Sequence, residues 1–383
     1  MKILITTESY APAVNGVVIS ILTLQKELLK MGHEVRILTL SNGSHSYTEG
    51  NATYIRALNI SRIYPDARYA LFYRNRYIRK LMEWHPDLIH AQSEFSTFRI
   101  AVYFSKKLEI PIVHTYHTIY EEYTHYFSPN KKLGKDMAMR FTRRILNQTQ
   151  FVIAPSEKVH TILKGYGVRQ KILVVPTGID MEKFDAVRNV PELQKLREKT
   201  GIQKGQKVLI TVSRLGKEKN LDEILLFMSL LNNHGITLLV IGDGPYRENL
   251  EEYARKLNIA ARVIFAGMVD PAEIASYYML GDVYVCASNS ETQGLTYMEA
   301  LASGVPALCK KDPCLNNVIT DGVNGWQYST YEEFAARLNE MFFHDELYER
   351  LCENAHTGII RDYSSAAFAK KVLLIYKEAL FLP

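Results

Sequence analysis

Arg214 and Lys219 stand close together in SRLGKEKN, directly after the apolar run KVLITV. If that run is a parallel strand, both cations lie beyond its carboxyl end, where open α/β sheets collect ligands. Arginine offers a planar fork of donors and lysine a compact charge. Together they suit a diphosphate, and the negative charge that builds on one as it departs. The same residues would also serve as a solvated charged loop, so the reading depends on their neighbours.

Those neighbours are carboxylates, glycines and a histidine. Glu291 and Glu299 stand eight apart in SETQGLTYMEALASG, the first ahead of a predicted helix and the second inside it. So placed, they can accept hydrogen bonds from two different sets of sugar hydroxyls. Gly294, Leu295 and Thr296 open that helix and offer its N-terminal N–H groups to a phosphate. Gly242 and Gly244 in GDGP punctuate another strand end. In the loop APAVNGVV, Asn15 and Gly16 stand where a first helix begins, a place that favours an anion but also one where a tight turn by itself needs glycine. The run PIVHTYHTIYEEY carries His114 and His117, and His117 falls at the end directed to a cleft, able to donate to a sugar hydroxyl or to developing charge. No G-x-G-x-x-G is present, which counts against a nicotinamide dinucleotide enzyme.

The elements that must position these residues follow from hydrophobic periodicity. KILITT, EVRILTL, DLIHAQ, PIVHTYH, FVIAPS and ILVVPTG alternate with amphipathic stretches, and KVLITVS, TLLVIGDG, RVIFAGMV, DVYVCAS and VPALCKK repeat the grammar. Strand–helix alternation of this kind implies parallel sheets. At 383 residues the chain exceeds one ordinary core. The expected division is a first domain over 1–180 and a second over 181–364, with residues 178–206 as a connection and the amphipathic stretch 365–383 packing back on the first.

Composition, at 47% hydrophobic and 23% charged, excludes a disordered chain. MKILITTESY reads as a strand and not a signal peptide, and no apolar run approaches the ~18 residues of a membrane span. Cys286, Cys309, Cys314 and Cys352 form no C-x-x-C pair, so neither a zinc site nor a disulfide framework is indicated and a reducing cytoplasm fits. Residues 1–184 carry 25 Lys and Arg against 15 Asp and Glu, whereas the remainder carries 21 against 26. A basic first half suggests an anionic partner: a phosphate-bearing ligand, nucleic acid or a membrane surface.

Taken together, N-G-V at 15–17, HTYHT at 114–118, PTGID at 176–180, SRLGKEKN at 213–220, GDGP at 242–245 and the Glu291/Glu299 pair resemble the GT-B retaining glycosyltransferases of family 4. The resemblance runs along almost the whole chain. It implies two Rossmann-like α/β domains facing across a cleft, a nucleotide-sugar donor, and transfer with retention that requires no metal or other cofactor. It also implies residue roles: Gly16, Arg214 and Lys219 on the diphosphate, Glu299 on the ribose, Glu291 and His117 on the donor sugar, and backbone near Met268 on the base. No carboxylate would then be needed as nucleophile, unlike a glycosidase pair. Gln293, where the family usually has phenylalanine, LNNVI at 315–319, and HTYHTIYEEYTHY are similar to the bacterial diacylglycerol glycosyltransferases. This narrower likeness implies glucose from UDP-glucose placed on diacylglycerol or on a glycosyl-diacylglycerol.

A lipid acceptor has independent physical support. In KKLGKDMAMRFTRRIL, residues 131–146, Leu133, Met137, Phe141 and Ile145 form a stripe flanked by Lys132, Lys135, Arg140, Arg143 and Arg144, a basic amphipathic helix. At roughly 1 kcal/mol per basic residue, such a helix can hold an enzyme on the inner face of an anionic membrane. An ordinary domain helix with its charges in water has the same pattern. Between 62 and 84, Arg62, Arg68, Arg74, Arg76, Arg79 and Lys80 interleave with Tyr64, Tyr69, Tyr73, Tyr77 and Trp84, a mixture that suits an interface. Nucleic acid is disfavoured by the sugar-nucleotide set. The rivals are a transferase with a soluble or sugar-phosphate acceptor and a non-catalytic membrane-binding protein on the same fold.

Overall fold

In a computed structural model the chain divides into two compact units, Met1–Gly178 with Ser365–Pro383, and Ile179–Ser364. The structure describes residues 1–13, 15–60, 68–70, 75–121, 130–185, 190–231, 233 and 235–381. Both units are Rossmann-like α/β domains, each a mainly parallel sheet between helices.

The first unit is built on β1 (Lys2–Thr6), β2 (Glu34–Ser41), β3 (Tyr47–Glu49), β4 (Ala52–Arg56), a small antiparallel pair β5 (Leu58–Asn59) and β6 (Arg68–Tyr69), β7 (Leu88–Ala91), β8 (Ile112–Thr115), β9 (Phe151–Ala154) and β10 (Lys171–Val174). Its sheet runs β10-β9-β8-β7-β1-β2-β4-β3, parallel except where β3 meets β4. The helices are α1 (Gly16–Lys30), α2 (Arg76–Glu83), α3 (Ser96–Leu108), α4 (Lys131–Leu146) and α5 (Glu157–Gly165). Central strands are buried on both faces, which is why they read as continuous apolar runs.

The second unit contains α6 (Glu182–Asp185), α7 (Val190–Lys199), β11 (Lys207–Val212), α8 (Leu221–Leu230), β12 (Ile236–Ile241), α9 (Arg247–Lys256), β13 (Val263–Gly267), α10 (Ile274–Tyr278), β14 (Val283–Cys286), α11 (Leu295–Ala302), β15 (Ala307–Lys310), β16 (Gly325–Tyr328), α12 (Tyr331–Phe343) and α13 (Asp345–Asp362). Its strands run β13-β12-β11-β14-β15-β16, all parallel. Val208 and Ile210 face one apolar cluster and Leu209 the other, the two-residue alternation of a sheet covered on both sides. The final helix, α14 (Ser365–Phe381), belongs to the first unit, where Phe368, Val372, Ile375 and Tyr376 join the core of β1 and α1.

Strand order decides where chemistry can sit. In the second unit the chain moves outward from β11 through β12 to β13, then returns and moves the other way from β14 to β16. In the first unit the same reversal falls between β1 and β7. At such a switch point the loops leaving two adjacent strands diverge, opening a crevice at their carboxyl ends.

Three sequence expectations change. The stretch 178–206 is not a bare connection, because it holds α6 and α7 and puts Phe184 and Ile202 into the second core. The pattern over residues 271–281 predicts a helix of that length, and the structure forms only the shorter α10. Trp84 is not an interfacial aromatic: it is 9% exposed within the core, under the Arg36 guanidinium, and its indole N–H donates to Glu34 at 3.1 Å. Among the described residues no helix is long and apolar enough to cross a membrane.

Candidate active site

The loops that leave β11 and β14 bring the second unit's charged residues together. After β11 the chain enters a short 3-10 turn, Lys217–Lys219, and Lys219 Nζ forms an ion pair with Glu291 Oε1 from the loop before α11. Each side chain is only about a fifth exposed, at 19% and 18%, so the attraction is little screened by solvent. Arg214 is about half exposed, 3.9 Å from Glu218, and its cationic head remains available to an incoming anion.

The glycines have identifiable work nearby. Gly242 has φ +119°, and a Cβ there would lie 1.9 Å from the Ser213 carbonyl oxygen; one on Gly244 would lie 2.4 Å from that of Leu215. Only bare backbone lets the 242–245 loop lie against the 213–216 loop, with Leu215 N–H donating to Asp243 O at 2.9 Å and Tyr246 N–H to Leu215 O at 3.0 Å. Gly242 N–H also donates to Gly267 O at 2.8 Å, next to Met268, which is 62% exposed.

Gly294 caps α11 with φ +75° and supplies no side chain to the helix's first N–H groups. That end of α11 therefore keeps a partial positive charge beside Glu291, with Leu295 as its first residue. Thr296 Oγ1 accepts from Tyr284 at 2.8 Å. One turn further, Glu299 accepts from the Tyr278 hydroxyl at 2.9 Å. Burial pushes the Glu299 carboxyl from its ordinary 4.5 up to about 7, opposed by the Tyr278 hydrogen bond and by Lys183.

In the first unit the switch point gathers groups from β1, β7 and β8. Asn15 caps α1, its Oδ1 accepting from Val18 N–H at 3.0 Å and its amide donating to Ser9 at 3.2 Å; Asn15 and Gly16 are exposed. His117, two residues past β8, donates from Nε2 to Gln92 Oε1 at 2.6 Å. Burial, with His114 nearby, pushes the His117 imidazole down to about 3, so it is neutral at working pH. His114 is fully buried and bonds Glu94 at 3.0 Å, which gives it a structural place apart from His117. Glu94 also accepts from Tyr120, and Glu8 at the end of β1 accepts from the Thr97 N–H and hydroxyl at 2.7 and 2.9 Å. Gln92, Glu94, Glu8 and Tyr278 were not singled out in the sequence. The signal was available for two of them, since Gln92 and Glu94 directly follow the apolar run DLIHA.

The basic helix α4 turns the small residues Gly134, Ala138 and Thr142, with Leu146, inward. Leu133 and Met137 face out at 55% and 52% exposure, with Lys132, Arg140, Arg143 and Arg144 also exposed. Phe141 stacks on Phe95, itself 46% exposed, at 5.5 Å, while Lys135 lies 3.8 Å from Glu121. Of the residues singled out in sequence, Val14, Arg62, Tyr64, Tyr73, Arg74 and the segment 122–126 lie outside the described residues. Among the described residues no group of three or more His, Cys, Asp or Glu side chains is placed to hold a metal ion.

Residues 14–183 match the family described as Glycosyltransferase Family 4, and residues 193–357 match Glycosyl transferases group 1. An alpha-monoglucosyldiacylglycerol synthase of Streptococcus pneumoniae is 36% identical over 100% of this chain and 92% of its own length. One of Acholeplasma laidlawii is 29% identical over 99% of this chain and 98% of its own length. Among solved structures, Anabaena Alr3699/HepE in complex with UDP and glucose superposes with a TM-score of 0.80 at 18% identity, covering 99% of this chain and 100% of that one, a likeness of fold.

Proposed function

Because this chain belongs to the family 4 glycosyltransferases, two Rossmann-like domains of the GT-B class, we propose a particular transfer for it: a hexose, glucose from UDP-glucose, moved with retention onto diacylglycerol or a glycosyl-diacylglycerol at a membrane surface. The observation that carries the donor half is the Lys219–Glu291 pair beside the open N-terminus of α11. A nucleotide diphosphate-sugar has two demands, neutralisation of its phosphates and acceptance of hydrogen bonds from its sugar hydroxyls. A cation and a carboxylate held against one another at a helix N-terminus meet both.

In this reading Arg214, Lys219, the first N–H groups of α11 and Gly16 take the diphosphate. Glu299 accepts from the ribose hydroxyls, Glu291 and His117 bind the sugar, and backbone near Met268 meets the base. The acceptor hydroxyl oxygen bonds to the anomeric carbon on the face the diphosphate leaves. The departing C–O bond gives its electron pair to the diphosphate, and the hydroxyl proton passes to a phosphate oxygen. Lys219 and Arg214 stabilise the charge that collects there. The phosphate charge is thus met by protein cations and helix N–H groups, and we assign the reaction no metal and no other cofactor.

The acceptor half rests on α4. Its outward Leu133 and Met137, ringed by Lys132, Arg140, Arg143 and Arg144, suit an anionic leaflet, with the apolar side chains entering the acyl boundary. The names of the S. pneumoniae and A. laidlawii relatives support the same acceptor and an α linkage. The α configuration of UDP-glucose makes an α product a retaining transfer. We assign the enzyme to the cytoplasmic face of the membrane, where UDP-sugars are made.

The test supplies labelled UDP-glucose or UDP-galactose to diacylglycerol or monoglucosyl-diacylglycerol in anionic vesicles with EDTA present, and resolves the lipid products. An α-linked labelled glycolipid is expected. If the protein binds donor but makes no lipid product, the acceptor is soluble or a sugar phosphate and the membrane reading is wrong.

A further inference from the structure

His117 is one end of a buried chain of hydrogen bonds that crosses the first unit. Gln92, just past β7, places its Oε1 2.6 Å from His117 Nε2 and its Nε2 3.1 Å from His90 Nε2. His90, on β7, also meets Thr115 at 2.7 Å through Nε2 and the Tyr376 hydroxyl at 2.6 Å through Nδ1. Tyr376 comes from α14, so the segment that follows the second unit supplies the far anchor. His90 and Tyr376 are both buried, and their rings pack edge to face.

The two histidines lie at opposite ends of the Gln92 amide, so one ring meets its oxygen and the other its nitrogen. The distances say which way it points: 2.6 Å suits N–H···O and is too short for a nitrogen donor on a bare ring nitrogen, whereas 3.1 Å suits N–H···N. Gln92 therefore accepts from His117 and donates to His90. His117 carries its proton on Nε2, His90 has a bare Nε2, and the His90 proton sits on Nδ1, donated to Tyr376. Neutral imidazole has one donor and one acceptor nitrogen, so spending Nε2–H on Gln92 leaves Nδ1 as a lone-pair acceptor. Among the described residues nothing meets that Nδ1.

We propose that Gln92 is a positioning residue that locks His117 in the Nε2–H tautomer, so that Nδ1 accepts a hydrogen bond from a hydroxyl of the transferred sugar, with His90 and Tyr376 holding the amide's direction. This replaces the donor role expected for His117 from the sequence, and its sugar half rests on the reading given under Proposed function. A ring held in one tautomer and one orientation arrives at the sugar already organised, which is why partners of functional histidines matter to rate although they touch no substrate.

The test reads the tautomer directly, by long-range ¹H–¹⁵N spectra of the intact protein at neutral pH, with the His117 signals assigned through their loss in His117→Gln. The expected wild-type pattern is Nε2–H. Gln92→Leu, which keeps the side chain's size, should give a mixture of tautomers and lower kcat/KM for the sugar donor about tenfold, the scale of one hydrogen bond. Gln92→Glu offers only acceptor oxygens and should retain Nε2–H on His117. An Nδ1–H pattern in the wild type overturns the proposal, as does an unchanged His117 pattern in Gln92→Leu, or an altered pattern with kcat/KM intact. Should Gln92→Leu fail to fold, the wild-type and Gln92→Glu spectra still decide. A wild type with the Nε2–H pattern that transfers no sugar to any lipid would overturn the transfer reading and leave the tautomer lock standing.

Discussion

Replacing Glu299 with glutamine exchanges a carboxylate for a neutral amide of nearly the same shape, and the structure sets two opposite consequences. The carboxyl is raised from 4.5 to about 7, chiefly by burial. Between those values the folded protein holds a proton that the unfolded chain has released. The contribution of Glu299 to wild-type stability therefore falls as pH rises from 4.5 toward 7, and its whole penalty is present above 7. Glutamine exchanges no proton and keeps an oxygen to accept from Tyr278. The gain of Glu299→Gln over wild type should grow from about 1 kcal/mol at pH 5 to about 3 kcal/mol at pH 8, since each tenfold change in proton affinity between the folded and unfolded chain is worth about 1.4 kcal/mol.

Urea unfolding of both proteins at the two pH values, without donor, measures that growth. Transfer should move the other way: an amide accepts ribose hydroxyls without the assistance of a charge, so the donor KM should rise about tenfold. A stability difference that is the same at pH 5 and pH 8 would refute the argument, because it would mean that Glu299 does not hold its proton in the folded protein. A pH-dependent gain in stability with the donor KM unchanged would leave the electrostatics intact and remove Glu299 from the donor site.

Lys219→Met should lower kcat by about 10²–10³-fold, the scale of removing one preorganised group from a site of developing charge, while the circular dichroism spectrum stays that of the wild type. Unimpaired turnover would take Lys219 out of the diphosphate site. Changing Arg140, Arg143 and Arg144 together to glutamine should weaken binding to anionic vesicles by about 3 kcal/mol, or on the order of a hundredfold, and leave the donor KM in place. Sedimentation with vesicles checks this, and unchanged partitioning would return α4 to the role of an ordinary domain helix.

The parallel α/β architecture was legible because its strands are buried on both faces and appear as β-branched apolar runs, as in ITLLVI at 236–241. What joins the strands was not. Lys219 and Glu291 are 72 residues apart, and nothing in either local stretch tells that they pair; only the adjacency of β11 and β14 brings their loops together. The place of Gln92 at the end of DLIHA is legible, but its partner is not, since an uncharged side chain after a strand shows its use only when β8 delivers His117 beside it. Trp84 was misread because cations and aromatics mixed in sequence look alike whether the ring lies at a surface or under one. The tyrosine over Glu299 comes from α10, and no pattern in Ile274–Tyr278 marks it.

The helix α4 shows most clearly where a periodic pattern stops short. Two stripes one residue apart, Leu133–Met137–Phe141–Ile145 and Gly134–Ala138–Thr142–Leu146, satisfy the same helical spacing, and a hydrophobicity count favours burying the first. The structure buries the second, packs Ile145 partly against the core, and leaves Leu133 and Met137 more than half exposed. Each such side chain forgoes on the order of 1–2 kcal/mol that burial would contribute. Small residues against the domain let the helix lie close to it, so close packing explains the inner face without explaining the outer one. Large apolar side chains held outward among four exposed cations would recover that energy where the face meets acyl chains under anionic headgroups, the setting that the proposed transfer to diacylglycerol requires.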